Sequence, residues 1–255
     1  MHQDTLEEAL DPRSALLRGV HPFIADGSIA EVLYQVKSGK EAVVYCCRAG
    51  PRFSESHPLL AAKVYKPRAF RAFRNEAMYR QGRVILDQRA ARAYASRSDF
   101  GERVATATWT GAEWETLCRL QAAGADVPRP LATSSNALLL EFLGDEDGAA
   151  PLLKGLRLEQ AEAEAVFDRL LDNVQLWLAY DVVHADLSAY NVLYWQDQPW
   201  VIDFPQSCDP RFNTNAFDLL LRDIRNLANY FERSGVVRDA FGLADSYWRT
   251  WERGG

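Results

Sequence analysis

His184-Ala185-Asp186-Leu187-Ser188-Ala189-Tyr190-Asn191, followed by Val201-Ile202-Asp203-Phe204, is the stretch on which the reading of this chain turns. The first part is a His-x-Asp-x-x-x-x-Asn loop, and the second is an apolar run ending on an aspartate twelve residues after Asn191. Transfer of a phosphoryl group to a hydroxyl calls for this set. One carboxylate orients the attacking oxygen and takes its proton, while a carboxamide oxygen and a second carboxylate hold Mg2+ on the phosphates. Magnesium is usually held by one or two carboxylates and by the phosphates themselves, so few protein ligands are expected. The competing reading is a polar loop in which Asp186 and Asn191 only cap turns. The apolar strand delivering Asp203 at this distance weighs against it.

Outward from this loop the chain reads as helix. Residues 158–180 carry Val166, Leu170, Leu171, Val174, Leu178 and Ala179 near the 3.6 period, and helical patterns return at 214–233 and 236–252. A strand–turn–strand stretch covers 192–203. The N-terminal half has a different texture. Strands are expected around Ala30–Tyr34, Ala42–Cys47 and Leu59–Tyr65, forming an antiparallel meander with a turn at Ala49-Gly50-Pro51. A helix is expected over Thr110–Ala123, stopped by Gly124, Pro128 and Pro130, and two short strands over 131–143 flank Ser134-Ser135-Asn136. Residues 4–18 read as a short helix. Strand first and helix second predicts an α+β, two-lobed layout. Its divisions are a helical extension at 1–21, a small β-rich lobe at 22–143 and a mainly helical lobe at 144–255.

The β-rich half offers matching parts. Lys63 stands in the apolar run Leu60-Ala61-Ala62-Lys63-Val64-Tyr65. It reads either as an edge-strand lysine that deters aggregation or as a phosphate contact held by a glutamate of the next helix. Glu113 and Glu115 both lie on that helix but point about 200° apart, so at most one of them faces the lysine. Ser38-Gly39-Lys40-Glu41 sits between two strands, where turn N–H groups can cradle phosphate; a plain hairpin turn is the alternative. The chain lacks Gly-x4-Gly-Lys-Ser/Thr, which argues against a P-loop nucleotidase.

Composition narrows the remaining classes. The chain has 255 residues with 48% hydrophobic and 25% charged side chains, which excludes a disordered or disulfide-stapled miniprotein. A net charge of −6 argues against general nucleic-acid binding. That figure hides an asymmetry, since residues 66–103 hold ten basic and four acidic residues. The wider segment 66–108 reads as helix or mobile loop, broken at Gly82 and Gly101. Its charge suits phosphate or an acidic partner, and leaves a local RNA or ribosome contact open. Cys46, Cys47, Cys118 and Cys208 form no Cys-x-x-Cys pair and read as buried reduced thiols. No signal peptide and no run near the ~20 apolar residues of a membrane helix is found, so a cytoplasmic protein without membrane contact is expected.

Taken together, these stretches resemble the RIO family of atypical protein kinases. The resemblance rests on Ser38-Gly39-Lys40-Glu41-Ala42, Ala62-Lys63-Val64-Tyr65, Trp109 with Glu113 and Leu117, Val127-Pro128-x-Pro130, Glu141-Phe142-Leu143-Gly144, Pro151-Leu152-Leu153-Lys154, His184–Asn191 and Ile202-Asp203-Phe204-Pro205-Gln206-Ser207. It covers roughly residues 30–233 in family order. It implies a protein-kinase-like fold and a Ser/Thr kinase, or an ATPase switch, using ATP with Mg2+ or Mn2+. Ser38, Gly39, Lys40 and Glu41 would cover the nucleotide phosphates. Lys63 would contact them and pair with Glu113, and Glu141, Phe142 and Leu143 would bind adenine. Asp186 would be the catalytic carboxylate, with Asn191 and Asp203 as metal ligands. In some members the metal-binding aspartate is phosphorylated, which makes Asp203 a candidate acceptor and autophosphorylation an expectation. Members lack the Ala-Pro-Glu segment that docks peptides in ordinary kinases, and so does this chain. The protein substrate is therefore unknown. Pro205 stands where an ordinary kinase has glycine, so a less mobile metal-bearing segment is expected. The alternative class is a small-molecule phosphotransferase of the aminoglycoside or choline kinase type.

Overall fold

A computed structural model describes residues 17–66 and 99–254, with the backbone alone over 99–105. The helix expected at 4–18 falls almost wholly outside the described residues, as does most of the basic segment 66–108.

The first helix, α1 (His21–Ala25), was not expected, because strand texture was read from residue 22 onward. Val20 and Phe23 are apolar enough to suggest a strand, but Pro22 occupies the first helical turn, where its missing N–H costs nothing. Strands β1 (Ile29–Ser38), β2 (Ala42–Ala49) and β3 (Leu59–Tyr65) follow as the expected antiparallel meander. Helix α2 (Asp99–Ala122) begins well before the expected Thr110, and Gly124 ends it in the left-handed region at φ 86°. Strands β4 (Pro130–Thr133) and β5 (Ala137–Glu141) complete one sheet of order β1-β2-β3-β5-β4. Beyond the two-residue β6 (Gly144–Asp145) and β7 (Gly148–Ala149) come α3 (Gln160–Ala179), the hairpin β8 (Val192–Trp195) and β9 (Gln198–Val201), α4 (Ala216–Glu232) and α5 (Ala240–Glu252).

The described chain divides into two compact units. The first holds the five-stranded sheet, α1, and α2 as far as Trp114, and it closes with Arg129–Asp145. Its core is formed by Val20, Phe23, Ile29, Val43, Tyr45, Cys47, Leu60, Ala62, Val64 and Leu139. At the β2 end, Gly50 N donates to Ser28 O at 2.8 Å. A Cβ on Gly50 would lie 2.1 Å from Gly27 O, so only glycine fits this crossing.

The second unit takes Glu115–Pro128 and everything from Glu146 onward. Its apolar faces come from α3 and α4, and Phe167 stacks on Phe231 with ring centroids 4.8 Å apart. The β8–β9 turn uses Gln196 and Asp197 at φ 52° and 59°, the left-handed pair that a two-residue hairpin requires. Among the described residues no helix is long and apolar enough to cross a membrane. All four cysteines are unpaired; Cys118 is half-buried rather than buried, because it lies toward the open face of α2.

Candidate functional site

In the first unit, Lys63 lies on the central strand of the sheet, paired in register with Val44 on one side and Leu138 on the other. The edge-strand reading of this lysine is therefore removed. Its Nζ meets Glu113 Oε1 at 2.8 Å and Oε2 at 3.1 Å, with Glu113 almost fully buried. Glu115, two residues on, is exposed, so helix phase decides between the two acids. A buried ion pair gains little over an apolar pair but is costly to break, since the surviving charge is left without a partner. Glu113→Gln keeps one acceptor and removes the charge, so it is expected to cost about 1–3 kcal/mol of stability, read as a lowered thermal midpoint.

The Ser38–Glu41 turn is closed by Gly39 N donating to Ala42 O at 2.9 Å. Lys66 grips it from the end of β3. Its Nζ donates to Gly39 O at 2.6 Å and to Ser38 Oγ at 3.1 Å, and its backbone N–H donates to Glu41 O at 2.8 Å. Composition had grouped Lys66 with the basic segment, whereas it is a clamp on this turn. Lys40 is exposed, and Gly39 and Glu41 are half-buried. Glu141 ends β5, its N–H bonded to Arg129 O at 2.9 Å; Phe142 and Leu143 are buried beside it.

In the second unit, the expected loop is tightly organised. Asn191 Nδ2 donates to Asp186 O at 2.8 Å and to Asp186 Oδ2 at 3.3 Å. Asn191 Oδ1 is thereby left without a hydrogen bond among the described residues. Asp186 keeps an open edge to solvent, yet the protein packed around its carboxyl raises its pKa. The Asp203 charge pushes the same way, while Arg222 and Asn191 oppose it. Two carboxyls that repel each other, beside an uncommitted amide oxygen, are a donor set suited to a hard divalent cation. No cluster of three or more His, Cys, Asp or Glu side chains capable of holding a metal occurs among the described residues. Magnesium takes few protein ligands, so one amide oxygen with one or two carboxylates is a set of the size it needs.

Three residues that the sequence reading left without a role hold this loop. His184 is buried, with Nε2 3.2 Å from Ile202 O and Nδ1 3.3 Å from the Asp186 N–H. These contacts assign a neutral ring, donating to one loop and accepting from the other. The ring packs on Phe204 and Trp177, with centroids 4.5 and 5.9 Å away. Asp223, buried on α4, accepts from Ala185 N at 2.7 Å and Leu187 N at 2.9 Å. Arg222 donates to Ala185 O. Gripped on both sides, Ala185 sits at φ 66°, a left-handed conformation that costs an alanine about 1–2 kcal/mol. The available signal was an acid within the apolar stripe Leu219, Leu220, Ile224 and Leu227.

Asp203 is itself left-handed at φ 74°. The strand before it is anchored through Val201 N to Asp126 O at 2.8 Å, and Asp126 is held by Arg169 and Asn173. After it, Phe204–Ser207 form a turn closed by Ser207 N to Phe204 O at 3.1 Å, with Pro205 in the position that suits its ring. The backbone pair Val183–Cys208 then ties the segment down, 2.9 Å in each direction.

The family model of the RIO domain matches residues 43–242. The chain belongs to the RIO domain family. Its curated relatives include the human serine/threonine-protein kinase RIO3, 29% identical over 239 residues, or 91% of this chain. The chain spans only 44% of that relative's length. The RIO-type serine/threonine-protein kinase Rio1 of Thermoplasma acidophilum is 29% identical over 180 residues, covering 71% of this chain and 88% of the relative. Among solved structures, the Rio2 kinase of Chaetomium thermophilum in an ADP/Mg2+-phosphoaspartate complex superposes with a TM-score of 0.65 at 17% identity, covering 93% of this chain and 71% of that one. This RIO domain therefore has the kinase-like α+β fold.

Proposed function

We propose that this RIO domain transfers the γ-phosphoryl group of ATP to a hydroxyl of a protein substrate. The observation that carries the reading is the Asp186–Asn191 loop, held against the Asp203 strand by His184 and from α4 by Asp223 and Arg222. In this reading Asp186 orients the attacking hydroxyl and accepts its proton as the new P–O bond forms and ADP leaves. Lys63, held by Glu113, binds nucleotide phosphates, and the Ser38–Glu41 turn covers them with its N–H groups. Glu141, Phe142 and Leu143 present backbone groups to the base. Asn191 and Asp203 would hold Mg2+, which when bound neutralises charge on the phosphates.

The phosphoaspartate complex of the Chaetomium Rio2 kinase favours a second use of the same residues, an ATPase switch in which the phosphoryl group rests on Asp203. Incubation with Mg2+ and labelled ATP, followed by intact mass and peptide mapping, tests both. Acid-stable label on serine or threonine supports the kinase, and hydroxylamine-labile label mapping to Asp203 supports the switch. Absence of both label and ADP release overturns the proposal. Turnover of aminoglycoside or choline in preference to protein would assign the small-molecule class instead.

A further inference from the structure

The short turn Leu153–Gly155 of the second unit lies directly against the loop that bears Asp186 and Asn191. Lys154 N donates to Ala189 O at 3.0 Å, and Lys154 Nζ stands 3.9 Å from the centroid of the Tyr190 ring. Asn191 turns inward onto Asp186, whereas Tyr190, its neighbour, is 53% exposed and forms the outer lip of the same loop. Lys154 is exposed too, and no carboxylate pairs with it among the described residues. A second cation braces the turn. Arg233 stacks 3.9 Å over Tyr230 and donates to Leu156 O at 3.1 Å, while the Tyr230 hydroxyl bonds Leu153 O. An ammonium seated on an aromatic face keeps its charge while losing freedom, so it can meet an anion at reduced entropic cost.

Resting on the reading of the site as a protein kinase, we propose that Lys154 on its Tyr190 seat is a specificity determinant that receives an aspartate or glutamate side chain flanking the acceptor residue of the substrate polypeptide. A chain that offers a hydroxyl to Asp186 passes the lip of this loop, and an acidic neighbour is the group that an unpaired, immobilised ammonium attracts. A neutral or basic neighbour gains nothing there.

The test uses the full chain and two labelled 15-residue peptides, one with a serine among glutamates and one with the same serine among glutamines. Binding is followed by fluorescence anisotropy, with and without Mg2+ and a non-hydrolysable ATP analogue. The glutamate peptide is expected to bind about fivefold more tightly, the scale of one exposed ion pair. Lys154→Gln should abolish the difference, Lys154→Glu should reverse it, Tyr190→Ala should reduce it and Tyr190→Phe should retain it. Equal binding, no binding of either peptide, or a preference that survives Lys154→Glu overturns the inference, as does displacement of neither peptide by unlabelled glutamate peptide together with displacement by an RNA oligonucleotide. Binding of Mg2+ and ADP by the same samples reports on the nucleotide site separately, so its loss would count against the kinase reading rather than against Lys154.

Discussion

Asp186→Asn is expected to lower Mg-ATP turnover by about 10²- to 10⁴-fold, the usual contribution of a positioned proton acceptor, while nucleotide affinity changes little. Asparagine preserves shape and can still accept from Asn191 Nδ2, so the scaffold survives and the loss falls on chemistry. The wild-type pH profile carries a matching signature. The protein packed around its carboxyl raises the Asp186 pKa, so the base is protonated earlier as pH falls. Turnover should therefore decline at a higher pH than an unperturbed aspartate would give, and the residual turnover of the variant should lack that limb. Measurement of kcat against pH at saturating Mg2+ and ATP checks both. Unchanged turnover in Asp186→Asn would remove Asp186 from the mechanism.

Asp223→Ala is expected to be the most damaging substitution to stability. It strands the buried N–H groups of Ala185 and Leu187, each of which donates to the carboxyl. Two stranded buried donors at about 1–3 kcal/mol each make about 2–6 kcal/mol, or roughly a 5–20 °C fall in thermal midpoint for a chain of this size. Ala185 would also lose part of the grip that holds it left-handed, so turnover should fall with stability. Burial pushes the Asp223 carboxyl from 3.8 up to about 8, against the pull of its two N–H donors and Arg222. Because folding raises this pKa, the folded state keeps a proton that the unfolded chain releases. The associated stability is fully present below the unfolded value and is lost as pH rises through about 8. The gap in thermal midpoint between wild type and Asp223→Asn should accordingly narrow from pH 4 to pH 8. A gap that stays constant or widens over this range would mean that Asp223 is ionised in the native state.

The parts of the site that were legible in the sequence are those whose members stand close along the chain. Asp186, Asn191 and Asp203 fall within one loop and one strand end, so their types and spacing could be read together. Lys63 was legible as a charge in an apolar strand, but spacing alone left Glu113 and Glu115 as alternatives. Their separation from Lys63 by about fifty residues makes the choice depend on helix phase, and the phase appears only once α2 packs. Lys66 was misgrouped for a related reason. Local composition placed it with nearby arginines, whereas its hydrogen bonds run to Ser38 and Gly39 across the sheet. Helix α1 was missed because its apolar residues outweighed the Pro22 signal in a short window.

By itself the sequence pointed to the α+β layout, to most of the strands and helices in their order, and to the residue types that can orient a hydroxyl and hold a divalent cation. Side-chain type and near-neighbour spacing are sufficient for that. Only the tertiary structure decided how the loop is held. Nothing about an alanine announces φ 66°, and the place of Asp223 within an apolar stripe does not say which groups it serves until it is found accepting from Ala185 and Leu187. Those bonds join residues 36 and 38 positions apart, and they form because burying the apolar stripe of α4 carries Asp223 into the interior with it. There its unmet hydrogen-bonding capacity must be satisfied, and the backbone of the loop satisfies it.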